Sequence, residues 1–155
     1  EYSGQTSIAG LAPRMPGSQE IGRSHENAVE RTLQRWGILF RRQEPFVTTQ
    51  GIKFKVDFWL SRTDSRPAIV IECKNFDVAA KQSSRPRKLQ EALYQLLLVR
   101  RHSLQTRASR IILVTGQTEF LERDVDLMAA ELGPDFHVVP FKDLERNRNL
   151  FGMEC

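Results

Sequence analysis

Cysteine is scarce in this sequence, and long apolar runs are absent from it. The two cysteines, Cys73 and Cys155, are too few for a disulfide framework or for a cysteine-rich zinc or iron–sulfur site. They suit a reducing, intracellular setting. No apolar stretch approaches the length of a membrane span and no signal peptide is recognisable, so we expect no membrane partner. The first residue is Glu1 and not methionine, which suits a trimmed piece of a longer protein.

What the sequence does contain is typical of one globular domain. Its 155 residues are 40% hydrophobic and 27% charged, which is enough chain to bury a core. Lys and Arg number 23 against 19 Asp and Glu, so the formal net charge is +4. A basic balance of this kind favours a polyanionic partner such as nucleic acid.

The spacing of apolar residues predicts an alternation of helices and strands. Glycine and proline are frequent in residues 1–20, which we expect to form an extended arm before a single domain over 21–155. Helices are predicted at 21–36, 86–102 and 119–132, strands at 38–47, 52–60, 68–76, 110–115 and 136–141, and a short polar helix at the end. The order αβββαβ, followed by a further α-β, predicts an α/β fold with a mixed central sheet flanked by helices.

Two charged residues interrupt the apolar strand at 68–76. Glu72 and Lys74 are two residues apart, so their side chains leave the strand on the same face. The loop before this strand is centred near Asp64 and Ser65, and antiparallel partners have a nearly constant sum of residue numbers. Asp57, on the preceding strand, is therefore expected to lie beside Glu72 across the hairpin.

Two carboxylates this close repel each other unless a cation lies between them. Oxygen ligands of this kind suit Mg²⁺ or Mn²⁺, and Lys74 could orient or help deprotonate a water molecule there. The alternative is that Glu72 and Lys74 form a charge pair on an edge strand, with Asp57 solvated nearby. The apolar neighbours Val56 and Phe58 favour a central position for these strands.

These residues resemble the signature of the PD-(D/E)XK nuclease superfamily. Val56-Asp57, fourteen further residues and Glu72-Cys73-Lys74 follow its pattern, with Val56 in place of the signature proline. The stretch Gly22-Arg23-Ser24-His25-Glu26, with Gly37 after it, resembles the first motif of the archaeal Holliday-junction resolvases. The stretch Gln90-Glu91-Ala92-Leu93-Tyr94 resembles the Q-x-x-x-Y motif of the exonuclease branch. The resemblance covers about residues 22–115.

The resemblance implies a restriction-endonuclease-like αβββαβ core and a metal-dependent deoxyribonuclease. Glu26 would complete the acidic site formed by Asp57 and Glu72, with Glu30 as its substitute one helical turn later. The backbone carbonyl of Cys73 would be a further metal ligand, while its side chain points into the core. Gln90 would contact the site, and Tyr94 would contact nucleic acid. We expect His25 to lie on the helix surface without a direct role.

A strongly basic segment follows the strand that carries Glu72. Its cationic residues, against the single acid Glu91, are Lys81, Arg85, Arg87, Lys88, Arg100, Arg101, Arg107 and Arg110. Most charge runs are solvated helix faces. Because this run begins directly after the candidate catalytic strand, we expect DNA contacts from its first four members, Lys81, Arg85, Arg87 and Lys88.

Three functions from different classes fit these patterns. The first is a Mg²⁺- or Mn²⁺-dependent DNA nuclease acting in recombination, repair, restriction or transposition. The second is a nucleic-acid-binding module without turnover, which the presence of Asp57, Glu72 and Lys74 together disfavours. The third is the nuclease subunit of a larger DNA-processing complex. Oligomeric state separates them in part, because a homodimer suits symmetric cleavage of two strands and a monomer suits nicking or assembly with partners.

Overall fold

The computed structural model describes residues 18–75, 85–106, 108–116 and 122–153. Most of the predicted N-terminal arm, residues 1–17, lies outside the described residues, and the first helix begins at Ser18 instead of residue 21. Within the described part, three α-helices and five strands follow the predicted order: α1 Ser18–Arg35, β1 Arg41–Val47, β2 Lys53–Leu60, β3 Ala68–Lys74, α2 Arg85–Thr106, β4 Ala108–Thr115, α3 Glu122–Leu132 and β5 Phe136–Pro140.

The strands form one open, mixed sheet in the order β1-β2-β3-β4-β5. β1 pairs with β2, and β2 with β3, in antiparallel fashion, because short loops join them. β3 pairs with β4, and β4 with β5, in parallel, with α2 and α3 as the crossover connections. The expected α/β class and mixed sheet are thereby confirmed.

The helices cover the two faces of this sheet and create two apolar cores. The α1-side core contains Val29 and Leu33 of α1 packed on inward residues of the sheet, among them Ile69 and Ile71. The α2-side core places α2 and α3 on the other face, through Leu96 of α2 among others. β3, in the middle of the sheet, is buried on both faces along its first five residues. None of the described helices is long and apolar enough to cross a membrane.

Glycines end two of the helices. Gly37 has φ +72°, and its N–H donates to the carbonyl of Gln34 at 3.0 Å, which closes α1. Gly133 has φ +94° and donates to the carbonyl of Ala129 at 2.9 Å after α3. Both need the left-handed backbone that glycine adopts without a steric penalty.

The chain end differs from the short polar helix that the sequence predicts. It forms two 3-10 segments, Phe141–Asp143 and Glu145–Phe151. Leu144 and Phe151 are buried in the α1-side core, and the ring of Phe151 lies 5.5 Å from that of Trp36 at the end of α1. Apolar contacts therefore anchor this segment, and its charged residues remain outside.

Candidate active site

The β2–β3 hairpin brings Asp57 and Glu72 together. The ladder pairs Phe58 with Ile71, and the same register sets Asp57 opposite Glu72. The backbone N–H of Asp57 donates to Oε1 of Glu72 at 3.1 Å, and the N–H of Cys73 donates to Oδ2 of Asp57 at 2.8 Å. Each carboxylate is thus fixed by the backbone of the facing strand, and the expected proximity is confirmed.

Both carboxyl groups lie in surroundings that disfavour their ionised forms. Glu72 is only 3% exposed, and burial, together with the charge of Asp57, raises the pKa of Glu72 well above its ordinary value. Burial raises the pKa of Asp57 to about 6, although the hydrogen bond from Cys73 opposes this rise. Because a nearby cation reverses such shifts, the pair forms a site that favours a bound positive charge.

Lys74 lies close enough to act on both carboxylates. Its ammonium lowers the pKa of Asp57 and of Glu72, against the larger effect of burial. The strand end is fixed by the N–H of Gly116, which donates to the carbonyl of Lys74 at 3.0 Å. Since β3 is the central strand and Glu72 is buried, the alternative of an edge-strand charge pair beside a solvated Asp57 is wrong.

On the α2 side of the sheet, Gln95 contacts the site. Its Nε2 lies 3.2 Å from Oε1 of Glu72, to which it donates, and it also donates to the carbonyl of Lys55. Gln90, by contrast, is exposed, and Tyr94 is 58% exposed. Gln90 therefore does not face the sheet, contrary to the site contact expected of it, because the buried face of α2 runs through the positions around Gln95. Those buried neighbours are Ala92, Leu96 and Val99.

On the α1 side, Glu26 reaches the site through Gln43. The side-chain amide of Gln43 donates to Oε1 of Glu26 and lies 3.3 Å from Oδ1 of Asp57. Nε of Arg42 donates to Glu26 at 3.2 Å, and its Nη1 donates to Glu30. Glu26 is near enough for its charge to raise the pKa of Asp57. Glu30, the proposed substitute, interacts with Arg42 instead.

His25 and Cys73 have structural positions. His25 is 7% exposed, and its Nε2 lies 3.1 Å from the carbonyl of Val114, which joins α1 to β4. Burial lowers the pKa of His25, so the expected surface histidine is instead a buried one. The Cys73 side chain packs against the α1-side core, as expected, and burial raises the pKa of its thiol.

The donor set at the hairpin suits a small divalent cation that keeps most of its water. Among the residues that the structure describes, no group of three or more His, Cys, Asp or Glu side chains could hold a metal ion. Mg²⁺ does not require one, because it is commonly bound through one or two carboxylates plus waters and substrate phosphates. Asp57 and Glu72 could supply those two carboxylates, and the role of the Cys73 carbonyl as a further ligand stays a prediction from the resemblance.

The basic residues divide into several groups. Lys81 lies outside the described residues, while Arg85, Arg87 and Lys88 belong to the first turn of α2. Arg110 is structural: its guanidinium pairs with Asp135 at 3.1 Å and donates to the carbonyl of Leu150 at 2.7 Å.

Arg101 is exposed and contributes to a groove of about 340 Å³ between the β1–β2 turn and α2. Tyr94, adjacent to Gln95 on α2, lines it too. No acidic side chain is among the described residues that line the groove, namely Thr48, Thr49, Gln50, Ile52, Tyr94, Leu98 and Arg101.

No sequence pattern identified Arg42, Gln43 and Gln95 as members of the site. Arg42 and Gln43 belong to no recognisable motif. A polar residue on a predicted strand is usually assigned to the solvated face of that strand. Gln95 could have been found, since apolar residues at 92, 96 and 99 place it beside the buried face of α2. No protein-family model matches this chain, and a comparison with curated proteins gives no match.

Proposed function

We propose that this protein is a metal-dependent DNA nuclease with a restriction-endonuclease-like core of the PD-(D/E)XK kind. The observation that carries the proposal is the pair of carboxyl groups locked across the β2–β3 hairpin, both with raised pKa and with Lys74 beside them. A fold gains nothing from a buried carboxylate beside a half-buried one that repels it, so their clustering favours a functional explanation.

Each side chain would have a separate task in hydrolysis. A divalent ion supplies Lewis acidity and charge neutralisation at the scissile phosphate. Asp57 and Glu72 would hold it, oriented by the N–H of Cys73 and by Gln95. Lys74 would orient the attacking water, because its ammonium is close enough to lower the pKa of both carboxyl groups. Glu26, held through Gln43, would add negative charge and accept a hydrogen bond from a water of the site.

The surface around the site supports DNA as the substrate. The groove between the β1–β2 turn and α2 offers the exposed ring of Tyr94 and the cation of Arg101 without an opposing acid among its described lining. The first turn of α2 adds Arg85, Arg87 and Lys88, and a helix N-terminus itself favours phosphate. Lys81 would extend the same path. These contacts go to backbone and bases without sequence readout, so we propose binding governed by DNA shape.

One feature favours the second candidate, a nucleic-acid-binding module without turnover. Arg42 and Gln43 both donate to Oε1 of Glu26, and the guanidinium of Arg42 offsets its charge, so that Asp57 and Glu72 are the two carboxylates left to neutralise an ion. A nuclease that completes its site only with a partner subunit or a second copy would have the same appearance, and it would belong to a larger DNA-processing complex.

A cleavage assay separates these functions. Linear, branched, mismatched and single-stranded DNA would be incubated with the protein in Mg²⁺, in Mn²⁺ and in EDTA. We expect metal-dependent cleavage by the wild-type protein, none by Asp57→Asn, and full activity in Asp64→Asn, whose aspartate is exposed in the hairpin loop. Binding of DNA without cleavage in either metal would support the non-catalytic module. Neither binding nor cleavage would refute both.

A further inference from the structure

Gln43 has an unusual backbone conformation for its residue type. Its φ is +55°, and it is the one non-glycine residue with positive φ among the residues that the structure describes. Side chains other than glycine, asparagine and aspartate rarely adopt this region, and such strain concentrates at functional sites. The conformation therefore requires a compensating interaction, which must be sought in the side chain of Gln43 or in the strand pairing around it.

The pairing of β1 with β2 is interrupted at this residue. Arg42 pairs with Phe58 and Glu44 with Val56, but the intervening positions, Gln43 and Asp57, do not pair in the ladder. The residues of β2 also exchange faces here, since Phe58 belongs to the α1-side core and Val56 to the α2-side core. A regular strand would keep these two on one face. The interruption turns the Asp57 carboxylate toward Gln43.

Among the residues that the structure describes, Gln43 is the one whose side chain donates hydrogen bonds to both Glu26 and Asp57. Its amide donates to Glu26 and lies 3.3 Å from Oδ1 of Asp57. Arg42 also binds Glu26, but its second partner is Glu30, farther along α1. Gln43 is thus the residue that links the α1 carboxylate to the hairpin carboxylates, and it lines the open cavity above Glu26 together with Gly22 and Arg23.

We propose that Gln43 is a positioning residue that holds Glu26 at the cation site by bridging it to Asp57. This inference rests on the proposed function for the identity of the bound ion. A neutral amide between two carboxylates lowers their repulsion without competing for the ion as a second cation would. The left-handed backbone is what aims the amide at both, so strain at Gln43 stabilises the geometry of the site and not the sheet.

Replacement of Gln43 by glycine separates the effect of its side chain from the effect of its backbone conformation. Glycine adopts φ +55° without strain, so Gln43→Gly removes the amide and leaves the chain path intact. We expect the metal-free thermal midpoint to stay the same or to rise. Mn²⁺ affinity, measured by calorimetry, is expected to fall about 10- to 100-fold, the usual loss when a partner of a metal-binding carboxylate is removed. Gln34→Ala, an exposed glutamine on α1, is the control and should change neither.

A second comparison tests the link to Glu26 directly. If Gln43 acts through Glu26, then Glu26→Gln should weaken Mn²⁺ binding in the wild-type background and change it little in the Gln43→Gly background. Unaltered Mn²⁺ affinity in Gln43→Gly would overturn the positioning role while leaving the proposed function in place. Equal, additive losses in the two backgrounds would overturn the link to Glu26.

If the wild-type protein binds no Mn²⁺, the proposed function is refuted. The bridge from Gln43 to Glu26 can then still be tested in the metal-free protein. In metal-free protein, the effects of Gln43→Gly and Glu26→Gln on the thermal midpoint must then be non-additive if the two side chains are coupled. Additive effects would exclude the bridge.

Discussion

The two ends of the β2–β3 hairpin differ sharply in what their residues do. Toward the loop, Leu60 faces Ile69 and Trp59 faces Val70 in regular register, and Leu60, Ile69 and Val70 are fully buried apolar residues. Three residues farther from the loop, the same strands carry Asp57 and Glu72, whose carboxylates receive backbone N–H groups in place of packing. One end of the hairpin holds the fold together, and the other end carries charges that burial penalises.

The difference shows where the chain departs from its most stable arrangement. At the loop end, the alternation of apolar residues, their burial and the strand register all favour the same structure, as they do in a sequence optimised for one fold. At the other end, a strained Gln43, an interrupted ladder, the buried carboxylate of Glu72 and the half-buried carboxylate of Asp57 occur together. Departures from regular structure that are confined to one place indicate a functional site. Substitutions at the apolar end should therefore change stability, and substitutions at the charged end should change activity.

The largest expected effect is at the apolar end. Leu60→Ala removes a fully buried side chain and should lower the free energy of unfolding by about 2–5 kcal/mol. Urea denaturation measures it, and Leu39→Ala, at a leucine that is 87% exposed, is the control with little change. A loss well under 1 kcal/mol in Leu60→Ala would mean that this end of the hairpin does not support the fold.

At the charged end we expect the reverse pattern. Asp57→Asn, Glu72→Gln and Lys74→Met should each keep the fold and reduce metal-dependent cleavage more than about 100-fold, because even an outer partner of a metal ligand is worth 10- to 100-fold. Initial rates on a cleaved DNA substrate measure this, with circular dichroism as the check on folding. Near-normal cleavage by any of the three would remove that residue from the mechanism.

Alanine is the wrong replacement for this comparison. The sequence alone suggests that the carboxylates serve only a cation and a water, so that alanine would leave the fold intact. In the structure, Asp57 and Glu72 also accept backbone N–H groups, and each group left without an acceptor costs about 1–3 kcal/mol. The amide variants remove the charge and keep one oxygen that can accept the backbone N–H.

The pH dependence of stability gives a smaller effect of opposite sign. Because the pKa of Asp57 is raised to about 6 in the folded protein, the folded state binds its proton more tightly than the unfolded chain does. Without metal, stability should therefore rise as the pH falls from above 6 toward 4. Asp57→Asn should remove this part of the slope and stabilise the metal-free protein near pH 8 by about 1–3 kcal/mol.

Denaturation at pH 5 and pH 8 in EDTA measures this effect, with Asp64→Asn as the control for an exposed aspartate. A wild-type protein that is more stable at pH 8 than at pH 5, with Asp57→Asn unchanged from it, would contradict the raised pKa. Addition of Mg²⁺ at pH 8 should reverse the penalty in the wild-type protein and have little effect in Asp57→Asn.

The regular end of the hairpin could be predicted from the sequence because its signals are local. The polar loop centred near Asp64 fixes the register, and the register alone puts Asp57 beside Glu72. The element order followed from apolar periodicity in the same way. The features that escaped prediction depend on contacts between residues far apart in the sequence. His25 is buried where its Nε2 meets the carbonyl of Val114, which is 89 residues away.

The rest of the site escaped prediction because it breaks the rules on which prediction depends. Period-two alternation assigns Val56 and Phe58 to one face, and the interruption at Gln43 separates them. The Q-x-x-x-Y resemblance selected Gln90, whereas the phase of α2, set by burial of its apolar residues, turns Gln95 toward Glu72.

The smallest effect concerns the basic residues at the start of α2. Replacing Arg85, Arg87 and Lys88 by alanine should weaken DNA binding at low salt and flatten its salt dependence by up to about three phosphate contacts, each worth a slope of roughly 0.9. Fluorescence anisotropy across a salt series measures the slope. Sequence preference should not change, because phosphate contacts carry no base information. A slope equal to that of the wild-type protein would leave this run as a solvated helix face.

The central claim is that the charged end of the hairpin exists to hold a divalent cation. Anomalous diffraction from crystals grown with Mn²⁺ tests it most directly, because it locates the ion without relying on activity. We expect one or two Mn²⁺ peaks within about 2.0–2.6 Å of carboxylate oxygens of Asp57 and Glu72, and no peak there in Glu72→Gln crystals. A well-ordered hairpin without Mn²⁺ at these oxygens, or with Mn²⁺ bound only elsewhere, would contradict it.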